Sequence, residues 1–351
     1  MVATNILIVG NYGAGNLGDD AIFGGIVEEL KKIGFQGEIS LTHGGFNSSE
    51  DLYKGYKKVA FAPTGIRSHL KKTRNEAKNA IKEADLIIIG GGGLFIDTES
   101  IKAPIIWGKH AKLCKKLKKP YICYGQSVGP LSSKFSKKIT FFTFANARGI
   151  HLRDENSKEI LKKMGIKNEI IVGTDPALSY LETIKSNHKK EPILAVSLRI
   201  WKNKVQWSDL IKEINTFAYS NKLKPKLIAM DIRNQKELEK LKNTHIPLFI
   251  PKSVQEAYEF FKKSSLACTM RLHAGIFSIS AHTPTVALSY SHKVASLLKN
   301  MKTEDGVAVQ QMSGKLDLTN KLQSVMHKTP KPKLTTEKNL SFLKKAIDPL
   351  G

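Results

Sequence analysis

The segment Met270-Arg-Leu-His-Ala-Gly-Ile-Phe277 carries the densest chemistry in the chain. It reads as a strand-to-helix junction, where Arg271 and His273, two positions apart, project from one side of the chain. An imidazole in the first turn of a helix meets the positive end of the helix dipole and stays neutral unless an anion binds beside it. A polyanionic substrate would favour its protonation and make it a general acid. The plainer alternative is a buried histidine satisfied by a backbone carbonyl. Twenty residues on, Lys293 closes Ser289-Tyr-Ser-His-Lys293 after the next apolar run, and neighbouring parallel strands would set its loop beside that of His273. Arg153, followed by Asp154, and Arg199 also stand at the ends of apolar runs, where an open α/β sheet keeps its ligands. The guanidinium fork matches phosphate and carboxylate. A surface salt bridge is the plainer use of Arg153.

Two glycine-rich loops accompany these residues. Gly10-Asn-Tyr-Gly-Ala-Gly-Asn-Leu-Gly18 lacks the spacing of a dinucleotide fingerprint and the Lys-Ser/Thr of a Walker loop. It fits a phosphate-binding turn and a tight strand-to-helix turn equally well. Gly90 to Gly93 places four glycines in a row, more than a turn needs, which favours close approach of a ligand to bare backbone. There is no Gly-x-Ser-x-Gly elbow, no His-Glu-x-x-His and no two-Asp metal pair. Asp19-Asp20 is indistinguishable from a helix cap.

The elements that must hold these groups are short apolar strands alternating with amphipathic helices. Asn5–Val9, Leu86–Ile89, Tyr121–Tyr124 and Gly149–Leu152 read as buried parallel strands in the first half. Ile193–Val196, Leu227–Met230, Leu248–Ile250, Leu266–Cys268 and Thr285–Leu288 read likewise in the second. The expected architecture is α/β, two Rossmann-like domains facing a cleft. We place an N-terminal domain with the Gly-rich loops at 1–178, a linker at 179–191, a smaller C-terminal domain with the Arg-Leu-His motif at 192–320, and a tail helix within 321–351.

Composition bounds the function. The 351 residues suit two ordinary domains, and 41% hydrophobic residues can fill their cores. No apolar run reaches the ~18 residues of a membrane span, and no basic residue precedes Lys31 as a secretory leader would require. Three scattered cysteines, Cys114, Cys123 and Cys268, exclude a disulfide scaffold and suit a reducing compartment. A cytoplasmic protein is expected. The net charge of +25 is spread over both halves, and only seven of the 56 basic residues are arginine. Basicity alone fits acidic substrates, an anionic membrane surface or nucleic acid, but no nucleic-acid-binding motif accompanies it.

Seven motifs in order carry a resemblance: Tyr12-Gly-Ala-Gly-Asn-Leu-Gly-Asp-Asp20, Gly90-Gly-Gly-Gly-Leu-Phe-Ile-Asp97, Gly125-Gln-Ser-Val-Gly-Pro130, Arg153-Asp154, Asp175-Pro176, Met270-Arg-Leu-His-Ala274 and Ser289-Tyr-Ser-His-Lys293. Together they resemble the polysaccharide pyruvyl transferase family. The resemblance implies a GT-B-like fold and transfer of a pyruvyl unit from phosphoenolpyruvate to a sugar of a cell-surface glycan or its precursor, with ketal formation and release of phosphate. It implies no cofactor and no metal. It puts the family's phosphoenolpyruvate-handling Arg, His and Lys on Arg153, His273 and Lys293. Arg271, Arg199, Gly13, Asn16, Asp19, Gly91, Gly92, Asp97 and Gln126 are the further substrate-binding candidates. The expected partners are phosphoenolpyruvate and a glycan or lipid-linked sugar; no nucleic acid is expected, and the +25 charge leaves a place at the inner membrane surface open.

The chain departs from the family pattern in several places. Ser127-Val128 stands in the loop before Gly129-Pro130, Ala229-Met-Asp231 replaces a Pro-Met-His, and Ser291-His292 replaces an Asp-Pro. These changes fall in loops that shape the acceptor side. Two other functions remain compatible with the sequence: a GT-B glycosyltransferase using a nucleotide sugar, and a basic protein that binds nucleic acid or a membrane surface.

Overall fold

The computed structural model describes residues 5–45, 49–62, 71–98, 100–200, 207–289, 305–312, 316–332 and 335–348. Two compact units emerge. One comprises Met1–Ala14, Asp19–Tyr180 and Thr335–Gly351, the other Gly15–Gly18 and Leu181–Leu334. The main break therefore falls at the start of the expected linker. The second unit runs on to Leu334, beyond the expected 320, and the last helix returns to the first unit instead of forming a separate tail.

The first unit is built on parallel strands β1 (Asn5–Val9), β2 (Glu38–Thr42), β3 (Lys57–Val59), β4 (Leu86–Ile89), β5 (Gly92–Phe95), β6 (Tyr121–Val128), β7 (Gly149–Leu152) and β8 (Ile170–Val172). Their order is β3-β2-β1-β4-β6-β7-β8, with β5 paired to the far end of β6. β1 and β4 are central, buried on both faces, and so read as unbroken apolar runs. β3 is an edge strand of sequence Lys-Lys-Val with its lysines exposed, which blunts the edge and hides the strand from an apolar-pattern search. The crossovers contain α1 (Leu17–Lys32), α2 (Lys71–Glu83), α3 (Lys102–Lys116), α4 (Lys134–Ala145) and α5 (Glu155–Lys163), with a short α6 (Ala177–Leu181) after β8.

The second unit repeats the plan. Its strands are β9 (Glu191–Ser197), β10 (Lys224–Ile228), β11 (Leu248–Phe249), β12 (Ser264–Thr269), β13 (Thr285–Ser289) and β14 (Val307–Gln311), all parallel, in the order β11-β10-β9-β12-β13-β14. Helices α7 (Trp207–Ser220), α8 (Gln235–Lys242), α9 (Val254–Lys263), α10 (Leu272–Ser280) and α11 (Leu318–Val325) belong to it. In each sheet the order reverses between the first strand and the fourth, β1 and β4 in one, β9 and β12 in the other. Such a reversal opens a crevice at the carboxyl ends of the two strands. Lys190 ties the end of the connecting segment to the second unit, donating to the Ser264 carbonyl at 2.8 Å and to Thr283 Oγ1 at 2.7 Å.

The final helix, α12 (Glu337–Ile347), is fixed to the first unit by a buried polar cluster. Asn339, fully buried, donates to Glu29 Oε1 at 2.8 Å, while its Oδ1 accepts from the Thr174 amide at 3.0 Å. His151 Nδ1 accepts from the Gly125 amide, so its Nε2–H donates to the same Asn339 oxygen, 3.0 Å away. Burial holds the His151 ring neutral, pushing its pKa down to about 3. Tyr124 and Ser179 complete the shell around Glu29, at 2.5 and 2.7 Å.

Burial is the largest influence on Glu29 and raises its pKa from 4.5 to about 7, against the opposing hydrogen bonds. Below pH 4.5 the group is protonated folded and unfolded. Between 4.5 and 7 the unfolded chain ionises first, so stability falls across that window. The loss amounts to about 3 kcal/mol by linkage. Glu29→Gln, which mimics the protonated acid, should flatten this part of the profile relative to the native chain. Glu29→Ala should destabilise at every pH, because it orphans Tyr124, Ser179 and Asn339. Urea midpoints at pH 5 and pH 8 for the three proteins check both statements.

Candidate active site

At the carboxyl edge of the first sheet, three of the sequence-selected residues come together. Gly92 is in register with Gln126 across β5 and β6. It has a left-handed φ of 99°, and a Cβ there would stand 3.3 Å from Asp19 Oδ1. Asp19, in the first turn of α1, accepts from Asn11 Nδ2 at 2.7 Å. The fully buried Gln126 directs its amide NH2 at the Ile89 and Gly90 carbonyls, 3.0 and 2.5 Å away, and so closes the end of β4. The result is an edge of neutral and acidic groups, suited to hydroxyls.

The glycine loops owe most of their bareness to packing. A Cβ on Gly90 would lie 2.1 Å from Tyr12 Oη, and one on Gly91 would meet Ile22 and the Gly125 carbonyl at 2.9 Å. Gly92 opens a short strand, so the four glycines are not one open loop. The amides of the first loop are likewise turned inward, against the phosphate-turn alternative. The Gly10 amide donates to Thr42 Oγ1, Gly13 to Asp20 Oδ1 and Tyr53 Oη, Leu17 to the Met230 carbonyl, and Gly18 to Asn16 Oδ1. Gly13 is thus required by the turn itself, with φ 55° and the His43 ring where a side chain would go.

Asp97 and Arg153 both have internal partners. The Asp97 carboxylate accepts from the Ser132 and Ser133 amides at 2.8 and 2.9 Å, fixing the turn before α4. Burial alone would raise its pKa; those amides hold it below the usual carboxylate range. Arg153 is 2% exposed and ion-paired to the equally buried Asp175, and its Nε donates to Ser127 Oγ at 2.7 Å. That same hydroxyl donates to Asp154 Oδ2 at 2.7 Å, while Asp154 caps α5 through the Ser157 amide. Ser127, one of the departures from the family pattern, is therefore the bridge between Arg153 and Asp154. Arg153 reaches the carboxyl edge as expected, but with its charge balanced by Asp175.

The second sheet gathers a cationic edge. Arg199 follows β9, and Arg271 and His273 follow β12, the two strands at the reversal. Arg271 is the N-cap of α10 with extended backbone, and no side chain caps the helix. Its guanidinium pairs with Glu237 and lies 3.6 Å from Asp231 Oδ2. Burial would raise the Asp231 pKa, but the guanidiniums of Arg233 and Arg271 hold it low. Asp231 also forms an antiparallel bridge with Asn16, and the Ile232 amide donates to the Gly15 carbonyl at 2.9 Å. Gly15–Gly18 accordingly belongs to this unit, with Gly18 against the imidazole. A Cβ on Gly18 would stand 2.1 Å from His273 Nδ1. Lys293 lies outside the described residues.

Glu237 escaped the sequence reading. It is 2% exposed and holds the Arg271 guanidinium with one oxygen and the Ile200 amide with the other, at 2.9 Å, so it aligns both arginine-bearing loops. Its setting, Gln-Lys-Glu-Leu-Glu-Lys, has the composition of a solvent-facing helix and no signal of burial.

Comparison with known proteins adds identity to this geometry. Solved structures similar over nearly the whole chain include UDP-GlcNAc 2-epimerase from Methanocaldococcus jannaschii, with TM-score 0.65, 12% identity and coverage of 99% of this chain and 100% of the other. An MnaA–UDP complex from S. aureus gives TM-score 0.66 at 13% identity, covering 99% and 97%. These similarities establish the GT-B fold. The amylovoran biosynthesis protein AmsJ of Erwinia amylovora is 24% identical over 391 aligned positions, which cover 89% of this chain and 92% of AmsJ. The family model described as polysaccharide pyruvyl transferase matches residues 16–292, a span that reaches from Asn16 past Arg271 and His273. The chain is thus an enzyme of polysaccharide biosynthesis, a transferase that belongs to the polysaccharide pyruvyl transferase family.

Proposed function

We propose that the enzyme transfers a pyruvyl group from phosphoenolpyruvate to two hydroxyls of a sugar in a surface glycan or its precursor, leaving a cyclic ketal and inorganic phosphate. The observation that carries the reading is the cationic edge of the second sheet, Arg199 and Arg271 beside His273, within the family match. Phosphoenolpyruvate presents a carboxylate and a phosphate, which guanidinium forks and the Lys293 ammonium recognise by charge and shape. His273 donates a proton to the methylene carbon, and a sugar hydroxyl attacks C2 as that carbon gains oxocarbenium character. The C2–O bond to phosphate then breaks, and a second hydroxyl closes the ring. One hydroxyl proton replaces the proton given by His273, and the other leaves with the phosphate. Cationic side chains stabilise the phosphate as its charge grows.

In this proposal Asp19, Gly92 and Gln126 serve the sugar, where hydroxyls need acceptors and close backbone approach. Arg153, paired to Asp175, keeps the first sheet's edge in shape. Glu237 and Asp231 hold Arg271 in one orientation. A nucleotide-sugar transferase is the second reading, favoured by the UDP named in structures of similar fold. Following free phosphate against free nucleoside diphosphate separates the two.

His273→Gln should remain folded and lose turnover by roughly 10²–10⁴-fold, the scale of general acid catalysis. Near-native phosphate release from that protein would remove the proposed acid. Gly18→Ala should also lower kcat, because its methyl group displaces the imidazole, while circular dichroism stays native.

The donor and acceptor sides should separate in binding assays. Lys293→Ala should weaken phosphoenolpyruvate in calorimetry and reduce the salt dependence of its binding. Gly92→Val should raise the acceptor KM and spare the donor. Donor affinity lost in Gly92→Val and kept in Lys293→Ala would reverse the assignment.

A further inference from the structure

From Ser100 to Arg153 the sequence contains ten lysines and two arginines and not one aspartate or glutamate. In a chain with 31 acidic residues, this is the largest charge asymmetry present. Two of the helices in this span, α3 and α4, pack side by side. A Cβ on Gly108 would lie 2.2 Å from Ile139 Cγ1, and Lys115 pairs with Asn146, so the helices climb in parallel. Their buried faces are accounted for by Trp107, Ala111, Cys114 and Phe144 in the unit's core. Their outer face is unusual. Phe135 is 53% exposed, Phe141 42% and Ile101 53%, three of the six large exposed hydrophobics among the described residues.

The lysines are arranged around these rings. Lys134, Lys137 and Lys138 are exposed on α4, the first just before Phe135 and the other two between Phe135 and Phe141; Lys112, Lys115 and Lys116 are exposed on the neighbouring α3. Phe142, half-buried between the helices, has Lys112 Nζ at 5.8 Å and Lys115 Nζ at 5.4 Å from its ring centre. Isolated exposed apolar residues are ordinary. Two exposed phenylalanines about 120° apart around one helix, with lysines beside them and no acid between Ser100 and Arg153, make a broad face of the kind that sits in the headgroup layer of an anionic bilayer. Nucleic acid would use the charge but has no use for aliphatic Ile101 or for phenylalanines without a groove in which bases could stack.

We propose that the outer face of α3 and α4 docks the first unit on an anionic phospholipid membrane, with Phe135 and Phe141 entering the interface and the lysines of both helices contacting headgroups. This goes beyond the transfer reaction and stands whether or not phosphoenolpyruvate is the donor. It gives the chain a peripheral membrane attachment without a spanning helix; among the described residues no helix is long and apolar enough to cross.

The full chain is mixed with vesicles of phosphatidylglycerol and phosphatidylcholine, or of phosphatidylcholine alone, and the bound fraction is measured by flotation at increasing salt. Binding to the anionic vesicles only, falling with salt, is expected. Phe135→Ser/Phe141→Ser should weaken it by about tenfold or more, through lost apolar insertion. Lys134→Glu/Lys137→Glu/Lys138→Glu should weaken it by about a hundredfold, at ~1 kcal/mol per basic residue near the surface. The control Lys212→Glu/Lys236→Glu/Lys242→Glu, an equal charge change on exposed positions of the second unit, should retain most of the binding. Phe135→Trp should show a blue-shifted emission component with anionic vesicles. Failure of the native chain to bind, equal loss in the control triple variant, native binding by the Phe double variant, or preferred capture of a DNA duplex at the same salt would each overturn the proposal.

Discussion

A carboxyl group buried in the last turn of α1 is the constraint on which the first unit depends. Glu29 is fully enclosed, and its two oxygens are satisfied by β6 through Tyr124, by α6 through Ser179 and by α12 through Asn339. One side chain therefore fixes the position of α1 against three elements far apart in sequence. Asn339 extends the constraint to β7 through His151 and to the turn before α6 through Thr174. Burying this much polarity is costly unless every partner is present, which is why the last helix returns to the first sheet although the chain has already built a second domain. The N-terminal turn of the helix so anchored carries Asp19, placed beside Gly92 at the carboxyl edge.

The parts of this arrangement that obey local pattern were legible in the sequence. β1, β4, β6, β7, β9 and β12 are central strands, buried on both faces, and show as apolar runs ending in glycine or arginine. Since ligands of a doubly wound sheet lie at those ends, Arg199, Arg271 and His273 stand out in the sequence itself. β3 and β8 do not, because an edge strand needs no apolar alternation and one of three residues leaves none. The partner of Arg153 was equally hidden: Asp175 is 22 residues away and reaches it only because β7 and β8 are neighbours. Glu29, Asn339 and Glu237 sit among charged helical residues, where the sequence marks neither burial nor partner.

The two sheet reversals are chemically unlike although their topologies match. The first gathers Asn11, Asp19 and the fully buried Gln126 among glycines whose missing side chains make room for Tyr12 and Ile22. The second assembles two arginines and a histidine, with the carboxylates of Glu237 and Asp231 placed against Arg271. In the proposed reaction the uncharged sugar would meet the first edge and the polyanionic donor the second. The same strand order, repeated, thus supplies two different recognition chemistries, and the difference lies wholly in the residues that follow the strands.

Asp231 shows how a single departure from a family pattern changes the electrostatics of such an edge. A histidine in its place would put a titratable group beside Arg271 where a negative charge now stands. The carboxylate instead fixes Arg233 through two hydrogen bonds, lies within ion-pair distance of Arg271, and uses its backbone to bridge Asn16. Arg271 is then held between Asp231 and Glu237, its charge locally balanced and its geometry set. A guanidinium held in this way is a poor bulk attractor of anions but a good rigid template, because less of its rotamer freedom remains to be lost when a ligand arrives. In the proposed reaction Arg271 would set the geometry in which His273, two residues on and against Gly18, meets the anionic donor.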